Sequence, residues 1–274
     1  MSGVGGHNAT STGTEVSRSN LTPNTKYLFW IPGNDSGDFT DRSGNSADAA
    51  LGADLVTAGV AHNVPGFMTT ASAPSGSSST RYIDIPSAKI DWDLSLGQSL
   101  IMSFWFNSTD TPAADGIAGW EGGTTGTPGL GIRSGAGGGG SIAFRVYGAN
   151  GVSALMGTGD TSIFDGNDHH FIFAVDGLSR TAYAMYNAEP ASGSNGGGTN
   201  FAVVNGTSTA LGSTAISPVK NCYFGRDGAG TYVVYAASWG DVHCLVGDEG
   251  LPDMISLAKK LYSRPYAPLE AGDW

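Results

Sequence analysis

Residues 165–177 read DGNDHHFIFAVDG, and the fold turns on what the two adjacent histidines are for. Asp165, Gly166, Asn167 and Asp168 form a turn signal: Asp and Asn side chains bond the backbone two residues on, and Gly accepts a left-handed backbone. The run is then apolar from Phe171 to Val175 and closes at a second Asp-Gly pair, the pattern of a short strand between turns. Side chains alternate faces along a strand, so His169 and His170 point to opposite sides and do not easily grip one metal ion. His7, His62 and His243 stand alone, and no HxH or HExxH spacing occurs. Asp165, Gly166, His169 and His170 are therefore expected to orient the turn and fill strand positions.

Outward from this strand the same texture continues. SLIMSFWFNS (99–108) sets Leu100, Met102, Phe104 and Phe106 on one face and Ile101, Ser103 and Trp105 on the other, so it reads as a central strand covered on both sides. Further strands are expected at 25–32, 81–86, 116–120, 130–134, 141–148, 181–188, 200–205, 221–227 and 232–246, the last breaking at Gly240. One helix stands out, LPDMISLAKKLYS (251–263), with Met254, Leu257, Ala258 and Leu261 at i, i+3, i+4 and i+7. Residues 1–20 are small, polar and aperiodic and read as an arm; residues 21–250 read as one β domain, and 251–274 as the helix and a Pro-rich tail. A dozen short strands with one helix make an all-β, two-sheet antiparallel sandwich, because each sheet must bury a face and only another sheet is available.

Composition excludes several functions. The chain carries 43 glycines and a net charge of −11, and its 13 basic residues are scattered, so nucleic acid is not an expected partner. Its 24 acidic residues are mostly aspartates, the residue type of turns. No apolar run approaches membrane-spanning length, and the N-terminus lacks the basic and apolar regions of a Sec signal. Cys222 and Cys244 sit in strand-like runs without CxxC spacing and are expected to be buried free thiols.

The ordered set of motifs resembles the laminin-G-like, concanavalin A-like jelly-roll superfamily. The paired histidines between Asp-Gly turns resemble its "DG-x-W-H-H … DG" strand pair. Phe29 and Trp30 followed by Asp41, Ser43, Gly44 and Asn45 resemble its first strand and "D-x-SGN" turn. Tyr82 to Ile85, LSLGQSLIMSFWF and NCYFGRDG resemble later elements in the same order, and the resemblance spans roughly residues 24–263. Asp168 departs from it, standing where the family has tryptophan.

The resemblance implies a jelly roll, and in many members a calcium ion held in loops. Asp41 with Asn45 match that position best, joined by Asp227 or Asp241, although closure of Asx-turns explains Asp41 and Asn45 equally. Trp120 and Tyr147 are the candidates for stacking on a glycan, with core packing as the alternative for each. Glycan hydrolases of the superfamily need two carboxylates close on one strand, and the five glutamates here are far apart in sequence. No GxSxG elbow or phosphate loop occurs. The expected function is non-enzymatic: a virion structural protein of a bacteriophage, a capsid decoration, head fibre or tail fibre component. It would be assembled in the host cytoplasm, attached to capsid or tail proteins, with a homo-oligomer and a monomeric decoration both open, and turned toward cell-surface glycan. The alternatives are a soluble bacterial lectin-like module and a degenerate glycan hydrolase.

Overall fold

The computed structural model describes residues 25–32, 40–45, 47–51, 55–56, 68–70, 83–86, 92, 96–109, 116–119, 129–134, 142–148, 151–157, 164–179, 181–190, 222–224, 237–248, 250–265 and 269. In chain order the strands are β1 (Thr25–Ile31), β2 (Ala50–Leu51), β3 (Leu55–Val56), β4 (Met68–Thr70), β5 (Ile83–Ile85), β6 (Ser99–Ser108), β7 (Gly116–Gly119) and β8 (Gly129–Ser134). They continue as β9 (Ile142–Gly148), β10 (Gly151–Gly157), β11 (His169–Asp176), β12 (Thr181–Tyr186), β13 (Glu189–Pro190), β14 (Cys222–Phe224) and β15 (Ala237–Gly247), before the helix α1 (Met254–Ser263).

Two antiparallel sheets result. The first runs β13-β12-β11-β6-β15-β4-β3, with β1 also on β15; the second runs β10-β9-β8-β7-β14-β5-β2. β6 and β11 lie side by side at the centre of the first sheet, which is why both are apolar on both faces. Phe104, Phe106, Phe171 and Phe173 pack on one another in an aromatic core between the layers, and Phe104 meets Phe224 of the second sheet edge-on. The opposite face carries Ile101, Ile172 and Ala174, which pack under α1 through Met254, Leu257, Ala258 and Leu261, the four positions read from the helical period. This two-sheet sandwich with one short helix is the expected fold.

Boundaries moved for local reasons. The helix begins after Pro252: Asp253 caps it, its carboxylate taking the hydroxyl of Ser256 at 2.8 Å and its carbonyl the first helical N–H, that of Leu257. β12 stops at Tyr186 because Asn187 and Ala188 both take positive φ, the geometry of a two-residue hairpin turn leading into β13. The expected break at Gly240 is a β-bulge instead. β15 keeps pairing with β6 on either side of it, while Asp241 takes φ 46°. β10 was not expected from the sequence, and the expected strand at 200–205 lies outside the described residues. No helix among the described residues is long and apolar enough to cross a membrane.

Candidate functional site

The residues singled out by sequence fall into three clusters. The first surrounds the histidine pair. Asp165 closes its turn by accepting the N–H of Asn167 at 2.8 Å, and its Oδ1 also meets His169 Nε2 at 2.9 Å. Burial works to raise the Asp165 pKa, but the bonds from Asn167 and His169 outweigh it, and the carboxyl sits below its ordinary value. The other ring nitrogen of His169 meets the Tyr186 hydroxyl at 2.7 Å. Gly166, at φ 82°, donates its N–H to Ser108 and accepts Asn107 Nδ2 on its carbonyl. The same amide reaches Asp168 at 2.8 Å, which ties the turn to the end of β6.

His170 points the other way, as alternation requires, into a second cluster beneath α1. Its Nε2 lies 2.8 Å from Ser103 Oγ, and its ring packs against Trp105 and Tyr262. Ser103 pairs in register with His243 on β15. His243 Nε2 lies 3.0 Å from Asp241 Oδ1, near enough for charge pairing though not aligned as a hydrogen bond, and Asp241 accepts the indole N–H of Trp30 at 2.9 Å. The Tyr27 hydroxyl lies 3.1 Å from His243 Nδ1 and accepts the backbone N–H of Leu269. By distance, Ser103 and His170 match a nucleophile and its base. They lack access, since Ser103 is 0% exposed and His170 2% exposed.

The third cluster is the SGN turn. Asp41 Oδ1 accepts the N–H groups of Trp30 and Ser43, and its Oδ2 accepts the Ser43 hydroxyl and the Ala47 N–H, at 2.7 to 3.0 Å. All four acceptor positions of the carboxylate are thus taken by protein donors. Asn45 turns its amide nitrogen onto the Leu28 carbonyl, and the Arg42 N–H reaches the carbonyl of Trp30. The turn therefore works as a short strand substitute, satisfying the edge of β1 that β15 leaves open. Of the four residues expected around calcium, the structure joins Asp41 and Asn45 in this turn and puts Asp241 in the histidine cluster. Asp227 lies outside the described residues, and among those described no three His, Cys, Asp or Glu side chains are grouped to hold a metal.

Trp120 also lies outside the described residues. Tyr147 is on β9, in register with Gly129 and Val152. Sequence reasoning missed Tyr223 and Asp84. These half-buried residues pair across β14 and β5, between inward-facing Cys222, Phe224, Ile83 and Ile85. The cysteines are free and buried, and burial raises both thiol pKa values, with Cys244 a secondary cause at Cys222.

No protein-family model matches the chain, and no curated protein sequence does. In fold it is similar to β-sandwich binding domains of bacterial toxins. One is the binding domain of Paraclostridial Mosquitocidal Protein 1, with a TM-score of 0.59 and 13% identity over 88% of this chain and 52% of that one. Another is the binding domain of botulinum neurotoxin serotype G, with a TM-score of 0.54 and 14% identity over 86% and 50%. A Trypanosoma rangeli sialidase in complex with the inhibitor DANA has a TM-score of 0.50 at 12% identity, over 85% and 32%. The chain spans about half the length of the toxin domains and about a third of the sialidase. At identities this low, the structural likeness shows a shared fold alone.

Proposed function

We propose that the chain is a non-enzymatic binding module, presented at the surface of a virion as a capsid decoration, head fibre or tail fibre component and adhering to glycan on a host surface. The observation that carries the non-enzymatic part is the burial of Ser103 and His170 beneath α1, which leaves this pair, at nucleophile–base distance among the described residues, without substrate access. The fold supports adhesion, since binding domains of this shape have been solved with rat synaptotagmin II and with SialylT. The virion role is supported by the polar segment 1–20 and the Pro-rich segment 264–274, which suit extended attachment to neighbouring subunits.

The test applies the purified full chain to a glycan array, with and without calcium, and measures sugar release from whatever binds. Retention without release is the expected result, and turnover of a bound glycan would overturn the non-enzymatic reading. Deleting 1–20 or 264–274 should abolish particle attachment; full occupancy by both deletions would leave a free lectin-like module as the better account.

A further inference from the structure

We propose that α1 is an acid-released strap: protonation of His170, sealed beneath the last turn of the helix, frees α1 from the outer face of the first sheet and bares the apolar patch that it covers.

The seal is built from three rings. The His170 ring lies 5.1 Å from that of Trp105 and 6.0 Å from that of Tyr262, and Tyr262 stacks on Trp105 at 5.1 Å. His170 is 2% exposed and Tyr262 40%, so the ring that shuts the histidine in stands at the surface. Tyr262 also belongs to the last turn of α1, where the final carbonyls have no partner within the helix and fraying begins. Opening of that turn brings water to His170.

A proton taken up there meets little counter-charge among the described residues. From β6 the ring faces the neutral Ser103 hydroxyl and Trp105, and from β12 come the Asn187 amide, bonded to the His170 backbone, and the half-buried phenol of Tyr183. α1 carries Lys259 and Lys260 and no acid, and Arg264 follows it. β15 supplies one carboxylate, Asp241, which already accepts the Trp30 indole N–H and lies 3.0 Å from His243 Nε2. His243 in turn lies 3.1 Å from the Tyr27 hydroxyl of β1. Burial accordingly pushes the His170 pKa down from 6.5 to about 3, with Asp241 opposing and His243 adding to the shift.

The helix gives way before the sheet because the two are attached differently. β6, β11 and β15 each have hydrogen-bonded strands on both sides. α1 is held by the packing of its apolar stripe on Trp30, Ile101, Ile172, Ala174 and Leu245, and the chain beyond it by the bond from the Leu269 N–H to the Tyr27 hydroxyl. Its departure lets His170 titrate in water while the strand ladders stay whole. Below pH 6.5 the open form binds the extra proton, so opening is favoured about tenfold per pH unit until the pH nears 3, and about 30-fold in all between pH 7.5 and 5.0.

The experiment follows amide hydrogen exchange of the full chain at pH 7.5 and 5.0 by mass spectrometry, corrected for the intrinsic pH dependence of exchange. The opening constant of amides 258–263 should rise about 30-fold on acidification, while those of β6 and β11 change by less than about threefold. His170→Gln keeps a partner for Ser103 without titrating and should lose the response. Tyr262→Ala removes the seal and should raise opening of α1 at pH 7.5 by about tenfold or more with the sheet unchanged. Urea midpoints at pH 7.5 establish that the variants remain folded, and the comparison of α1 with β6 inside the parent stands even where His170→Gln misfolds. An equal rise in α1 and β6 would mean general weakening of the fold and overturn the strap. So would α1 amides indifferent to pH, a folded His170→Gln that responds as the parent does, or a Tyr262→Ala whose helix opens no more than the parent's.

Discussion

Acidification is expected to weaken this protein through His170. The ring is buried between β6 and α1, with Ser103 Oγ at 2.8 Å and the rings of Trp105 and Tyr262 against it. Its pKa is pushed down from 6.5 to about 3: burial is the main cause, the charge of Asp241 opposes it, and His243 adds to it. In the unfolded chain the same ring takes up a proton near pH 6.5. Between these values the unfolded state holds more protons, so stability is complete above pH 6.5 and is lost progressively as pH falls toward 3. The slope is about 1.4 kcal/mol per pH unit, which makes the loss about 2 kcal/mol at pH 5.0 and about 5 kcal/mol at the limit. The assay is urea denaturation at pH 7.5 and 5.0 on the parent and on His170→Gln, whose amide can still bond Ser103 but does not titrate. Other acids and histidines are present in both proteins, so the difference between their pH slopes reports His170. The parent should lose about 2 kcal/mol more than the variant. Equal slopes would refute the reasoning.

Three further outcomes are expected. Asp41→Asn puts an NH2 group where Oδ2 now accepts two donors; the Ser43 hydroxyl can turn round but the Ala47 N–H cannot, so a cost of about 2 to 3 kcal/mol should appear in the urea midpoint, while a chelator leaves the parent unchanged. A loss below about 0.5 kcal/mol would contradict the edge-capping role. Gly177→Ala would place a Cβ 2.1 Å from the Gly97 carbonyl oxygen and 2.4 Å from the Gln98 backbone, atoms that cannot swing aside, so Tm should fall by an amount corresponding to about 3 kcal/mol. Cys222 and Cys244 should resist Ellman's reagent in the native state and react on unfolding, because burial disfavours the thiolate; rapid native labelling would show the core to be open.

What the sequence made legible was whatever a single strand or helix carries by itself. Apolar residues on both faces of β6 announced its two-sided burial, the spacing of α1 announced its buried stripe, and the opposed directions of His169 and His170 followed from a period of two. What stayed hidden depends on pairing between distant segments. The turn at Asp41 looks the same in sequence whether its carboxylate faces an ion or the N–H groups of β1, and only the nearness of Trp30 decides. The pairing of Ser103 with His243 exists only once the register of the sheets is known. β10 went unread because its glycines and small residues give a weak strand signal.

The closing of β1 against β15 has a consequence for biosynthesis. The Tyr27 hydroxyl is tied to residues 216 and 242 positions further along the chain, and β1 pairs with β15 on both sides of a bulge at Leu28. Contacts of such separation carry a large loop-closure cost before they return any stability, and they slow folding. On the ribosome, β6 and β11 emerge apolar on both faces and must wait for the strand and helix that cover them to be translated. The nascent polypeptide is therefore expected to depend on chaperones until β15 and α1 leave the exit tunnel, and fragments truncated before β15 should aggregate.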